Sequence, residues 1–203
     1  MIYPILAILL SLAFQQNEME ALLNRRVSVE LNKATVFEVV EALRTQHAIP
    51  LSFIQSTRYF NKKEEINIKV SSGTVRDALE KIKSYAPDYN YGFVEGHLVL
   101  YSNEPKYQKV VDSLSIRDTA GFNATYSYLD VLRARWPEYK ELMSPVIKGD
   151  PRAAFFTDRV SIRTGGTVLK GFAQLLGNNR SVVFTIIYWE KASRPMFYFD
   201  NVK

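Results

Sequence analysis

Apolar and polar residues alternate along Val27–Leu31, and at Thr35 that alternation gives way to apolar residues spaced three and four apart. Val27, Val29 and Leu31 share one face of a strand of period two. Thr35 is placed to cap a helix, and Glu38 three residues on completes a capping box. Val36, Val39, Val40 and Leu43 follow as one helical stripe. The same order returns downstream. Ile66, Ile68 and Val70 alternate, Thr74 stands as the cap with Asp77 as its partner, and Val75, Ala78, Leu79 and Ile82 form the stripe.

A looser third copy is expected at Val160–Leu175. Val160 and Ile162 form the strand, Gly165 and Gly166 the turn, and Thr167 opens a helix carrying Val168, Phe172 and Leu175. Gly171 would weaken that helix by about 1 kcal/mol relative to Ala. A degraded fourth copy spans Ser113–Trp136, with Leu114 and Ile116 alternating, Asn123 as cap and Leu129, Leu132 and Trp136 as stripe.

Between the copies the punctuation is clear. Pro50 ends the first helix, and Leu51, Phe53 and Ile54 read as a short strand. Tyr89–Tyr101 has Glu95-Gly96 between two apolar runs, a hairpin signal. Ser181–Trp189 is apolar on both faces, which suits an interior strand, and Met196–Phe199 returns as the last strand. The expected fold is α+β: two small βαββαβ-like modules with helices packed on short mixed sheets, one at 25–103 and a diverged second at 107–203. The stretch Ser102–Lys106 is the boundary. Met1–Phe14 is almost wholly apolar but too short to cross a bilayer, which needs about 20 residues. With small residues at Ser11 and Ala13 it reads as a signal peptide over 1–16, implying export and no stable membrane span after cleavage.

The 203 residues carry a net charge of +5, with basic side chains scattered among acidic ones. No dense basic run or recognised module points to nucleic acid. The absence of Cys excludes disulfides, thiolate catalysis and Cys-ligated metals.

The segments VSVELNKATVFEVVEAL, INIKVSSGTVRDALEKI and YGFVEGHLVLY together resemble the secretin and TonB short N-terminal domain, a small periplasmic module. The resemblance covers residues 27–101, over a third of the chain. It implies two strand–helix units back to back, closed by a hairpin strand. It further implies docking to a protein partner in the cell envelope rather than catalysis, and it brings no catalytic residues with it.

Candidate chemistry is sparse. His47 and His97 lack ligand spacing and read as surface or half-buried imidazoles. Ser71-Ser72-Gly73 reads as the turn before a helix, Gly165-Gly166 as a tight turn, and Glu64-Glu65 and Asp150 as solvated. No catalytic, metal or cofactor-binding residues are assigned, and no cofactor is expected. The aromatics are richer. Most belong to a core, but Tyr89, Tyr91, Phe93, Tyr188 and Tyr198 are candidates for a partner-contact surface. A sheet edge at the hairpin or the last strand could accept a partner's strand. Two other functions fit the composition: a small periplasmic enzyme or ligand binder acting on an anionic envelope polymer, and a structural part of a secretion or pilus assembly.

Overall fold

The computed structural model describes residues 16–56, 65–94, 96–103, 110–111, 116–117, 161–162, 166–167, 181–188 and 195–202. The fold is α+β, with helices packed on short mixed sheets. A short helix, α1 (16–23), leads into β1 (Arg26–Ala34), α2 (Val36–His47) and β2 (Leu51–Ile54). The unit repeats as β3 (Ile66–Thr74), α3 (Val75–Tyr85) and β4 (Tyr89–Val94), and β5 (His97–Ser102) closes a hairpin with β4. Both capping boxes form as the Thr-x-x-acid spacing predicts. Thr35 accepts from the Glu38 N–H and Thr74 from the Asp77 N–H, while each acid reaches back to its cap residue. Those backbone and hydroxyl donors hold the Asp77 carboxyl below its usual range.

The two copies meet as a two-stranded antiparallel ribbon of β1 and β3. Its register is symmetric about the pair Glu30–Lys69, whose side chains form an exposed ion pair at 3.0 Å. Val29 faces Val70 and Leu31 faces Ile68, while Val27 faces Gly73 and Ala34 faces Ile66. Each strand bulges just before its capping Thr, where Lys33 (φ 53°) and Ser72 (φ 56°) are left-handed. Gly73 takes the place of Ala34 in the second copy because a Cβ there would come within 2.5 Å of Val70 Cγ1. Val27, Val29, Ile66, Ile68 and Val70 turn their side chains inward onto the stripes of α2 and α3, and together they form the helix-side core.

Helix α2 ends on Ala48, which is left-handed at φ 50° and donates its N–H to Leu43 O; Ile49 N–H reaches the same carbonyl. The Arg25 guanidinium donates to His47 O at 2.9 Å and Ala48 O at 3.2 Å, a cation where the helix dipole favours one. An L side chain at this φ is strained, so Ala48→Gly is expected to stabilise the protein by about 0.5–1 kcal/mol. Urea denaturation would read this as a raised midpoint at constant slope, and a lowered midpoint would contradict it.

The second sheet has the order β11-β10-β2-β5-β4, where β10 is Val182–Tyr188 and β11 is Pro195–Asn201. The expected boundary near Ser102–Lys106 is therefore not a boundary between sheets. The strands at 182–201, assigned to the second module, complete the sheet of the first. β10 runs parallel to β2, with Thr185 opposite Phe53 and Ile186 opposite Ile54. The physical reason lies in β10 itself: residues 182–187 are all buried, so the strand needs cover on both faces and neighbours on both sides. Leu51, Phe53, Leu98 and Leu100 face the helices. Ile54, Val99, Phe184 and Ile186 on the opposite face are fully buried as well, so the sheet carries a second apolar layer.

The third copy departs from expectation. Ser161–Ile162 is a strand (β8), paired with Ile116–Arg117 (β7). Gly166–Thr167, expected as turn and helix cap, is instead a strand (β9) paired with Val110–Val111 (β6). A Thr preceded by two glycines can enter a ladder as readily as a cap, and without an acidic partner three residues on, nothing closes the capping box. The helix expected over 168–175, most of the fourth copy and the signal peptide lie outside the described residues.

Candidate functional site

Among the aromatic candidates, Tyr89 separates sharply from Tyr91 and Phe93. Its side chain is 1% exposed, its ring stacks on Phe53 at 5.7 Å, and its hydroxyl accepts from the Ser56 N–H at 3.1 Å. Tyr89 is thus a core residue, a correction to its place on a contact surface. Alternation explains it: Tyr89 shares the helix-facing side of β4 with Tyr91 and Phe93, but its end of the strand lies under α3's C-terminus. Tyr91 and Phe93 are half-buried and pack against the core's margin. Tyr188 lies opposite Pro195, and Tyr198 opposite Thr185, in the β10–β11 ladder; their side chains are outside the described set.

Strand β4 is one edge of the five-stranded sheet and β11 the other, among the described residues. The backbone of β4 has a definite sidedness. Asp88 O accepts from Asn103 N–H, so the even-numbered residues turn toward β5. Tyr91 N–H turns outward, where it donates to the Asn90 side-chain oxygen at 3.0 Å. Beside this edge, a polar chain links three elements. Arg76 pairs with Glu20 at 2.7 Å, the Tyr91 hydroxyl donates to Glu80 at 2.7 Å, and the Lys83 ammonium stands 5.3 Å from the Tyr91 ring centroid. Partial burial, then the Glu80 carboxylate, push the Tyr91 phenol up to about 12, so it remains a donor.

Where β2 meets β10 in the same sheet, Arg44 is buried within the protein. Its guanidinium donates to Leu51 O (2.7 Å), Glu41 Oε1 (2.8 Å), Thr185 Oγ1 (2.7 Å) and Phe184 O (3.2 Å). Burial pulls the guanidinium down from its usual value and Glu41 opposes that pull. Ser52 Oγ accepts from the Phe184 N–H nearby. One side chain thus ties α2 to β2 and to a strand some 140 residues later. Sequence reasoning missed it, although a signal exists: Arg44 occupies the apolar stripe at the i, i+4, i+8 spacing from Val36 and Val40.

His47 is half-buried, with Nε2 at 3.2 Å from Ser28 N and 2.9 Å from Ser28 O, which covers the outer edge of β1. His97, expected at or near the surface, is buried at 5% exposure. Glu65 is exposed; Glu64, Asp150 and Gly165 lie outside the described residues. Among the described residues no three His, Asp or Glu gather as metal ligands, and no helix is long and apolar enough to cross a membrane. Comparison with family models, with curated proteins and with solved structures finds no match for this chain.

Proposed function

We propose that the protein is an exported, non-enzymatic docking module of the bacterial cell envelope, similar in role to the secretin and TonB short N-terminal domain. Its partner is another envelope protein, bound by adding a strand to the edge of the five-stranded sheet. The single observation that carries this reading is the state of β4. It is the sheet's outermost strand among the described residues, and Tyr91 N–H on its outer side donates to the neighbouring Asn90 side chain. Main-chain groups on such an edge supply affinity, and the alternating side chains Tyr91 and Phe93 supply selectivity. A tight β-bulge or a Lys on the edge would have blocked this, and β4 has neither between Tyr89 and Val94.

The test is site-specific photo-crosslinking in producing cells. A photoreactive residue at Gly92 or Val94 should capture one discrete envelope protein, and one at Lys81, on the exposed side of α3, should not. Phe93→Pro removes an outward backbone N–H at a strand edge where proline is tolerated, and should abolish capture in a folded protein. Capture that is equal at all three sites, or that survives Phe93→Pro, would overturn the reading.

A further inference from the structure

The chain contains a worked example of strand addition to an edge equivalent to β4. The repeat sets Val27 against Ile66, Thr35 against Thr74, Glu41 against Glu80 and Arg44 against Lys83, each 39 positions apart. Helix α3 is one residue shorter than α2 (11 against 12), so the strands that follow correspond as Leu51 to Tyr89, Phe53 to Tyr91 and Gln55 to Phe93. The facing agrees: Leu51 and Phe53, like Tyr89, belong to the helix-side core, with Tyr91 and Phe93 packed against it. The sidedness agrees too. Gln55 N–H donates to Ile186 O on the outer side of β2, and Tyr91 N–H is turned to the outer side of β4. β2 runs parallel to β5 and β4 antiparallel to it, so the two copies flank β5 in opposite directions.

On the first copy, that outer side holds β10, laid parallel to β2 with Thr185 opposite Phe53 and gripped by Arg44. On the second copy the outer side of β4 has no neighbour among the described residues. Yet the gripping pair is present there. Glu41–Arg44 at 2.8 Å becomes Glu80–Lys83 at 3.7 Å, and Lys83 stands over Tyr91, the counterpart of Phe53. The Lys83 side chain is one-third exposed, and its ammonium stands between Glu80, at 3.7 Å, and the Tyr91 ring, at 5.3 Å from the centroid.

We infer that β4 is a second strand-acceptor site, to which a partner protein's extended segment adds parallel to Tyr89–Val94, with an oxygen-bearing side chain opposite Tyr91 held by Lys83. The segment has the helix-side pattern of β10: apolar, then hydroxyl or carboxylate, then apolar, at alternate positions. A lysine replaces the arginine because it binds as a point charge at a more open site, where bidentate geometry is not required. Asn90 must release Tyr91 N–H for the segment to seat.

The inference rests on the docking reading and refines it to orientation and anchor. Its probe is a soluble peptide that keeps Val183, Thr185 and Ile187 on one face and alternates Lys and Glu on the other. Added to isotope-labelled full-length protein, it should shift the amides of β4. A spin label at the peptide's N-terminus should broaden Tyr89 and Asn90, and one at its C-terminus should broaden Val94. Lys83→Met should weaken binding about tenfold at an unchanged thermal midpoint, Lys83→Arg should restore it, and a Thr→Val peptide should bind wild type as weakly as Lys83→Met does. Antiparallel broadening, indifference to residue 83, shifts confined to β2 and β10, or no binding would each overturn the inference. Cross-linking at Gly92 that persists after such a result leaves the docking reading standing and removes only this refinement; silence at Gly92 removes the docking reading itself.

Discussion

Arg44→Ala is expected to cost about 3–5 kcal/mol of stability, because it removes a buried guanidinium that makes four hydrogen bonds. For a chain of this size that corresponds to a fall of roughly 8–15 °C in thermal midpoint. The loss has two parts. The truncated side chain leaves a cavity between α2 and the sheet, and the donors to Leu51 O, Thr185 Oγ1 and Phe184 O vanish from a site 6% exposed. Glu41 is freed but half-exposed, so it turns to water and adds little. The effect should be unequal across the molecule. Hydrogen exchange should rise most in Val182–Tyr188, the strand that Arg44 holds against β2, and least in the β1–β3 ribbon. Arg44→Met separates the parts, since it refills the cavity without restoring the donors, and should recover part of the loss. A cost below about 1 kcal/mol for Arg44→Ala, or uniform exchange across both sheets, would show that the guanidinium does not join the C-terminal strands to the first copy.

The repeat was legible because its determinants are local. A strand of period two, a Thr with an acid three residues on and a stripe of period 3.6 each depend on residues within one turn of one another, and both Thr35 and Thr74 form the expected capping boxes. The hairpin at Glu95-Gly96 was legible for the same reason, with Gly96 at φ 84°. The partner of β10 was not. Val182–Tyr188 announces itself as an interior strand, but periodicity carries no information on which strand lies beside it, and the choice of β2 is made across 132 positions by Ser52, Arg44 and Thr185. The third copy fails at the same point: Gly166–Thr167 pairs with Val110–Val111, a distant contact that local capping chemistry does not anticipate. For the aromatics, clustering near the hairpin marked Tyr89, Tyr91 and Phe93 but could not show that Tyr89 is buried against Phe53 while the other two reach the margin.

The duplication thus produces symmetry in the ribbon and asymmetry in the sheet. About Glu30–Lys69 the two copies are interchangeable, down to matching bulges at Lys33 and Ser72. About β5 they are not, because one copy's outer strand is paired with β10 and the other is, among the described residues, the sheet's edge. The arginine went with the paired strand and the lysine with the edge, as their hydration favours: guanidinium tolerates a dry, multidentate site, and ammonium a wetter one.

Tyr89→Ala is expected to cost about 3–5 kcal/mol, as large-to-small changes of buried aromatics do. The ring is stacked on Phe53, which in turn meets Phe37 of α2 at 6.2 Å, so truncation opens a void at one end of a row of three aromatic rings. Tyr89→Phe keeps the ring and removes the hydroxyl that accepts from the Ser56 N–H, which should cost about 1–2 kcal/mol. Tyr91→Ala, two residues along the same face, should cost less than either core truncation, because its ring is half-buried and its Glu80 bond lies at the surface. Chemical denaturation of the three variants orders them as Tyr89→Ala, then Tyr89→Phe or Tyr91→Ala well behind. The partner assay inverts that order: Tyr91→Ala should lose capture at the β4 edge in a folded protein, whereas Tyr89→Phe should retain it. If Tyr89→Ala kept full stability and lost capture instead, Tyr89 would belong to the contact surface after all, and the assignment of this face of β4 to the core would fail with it.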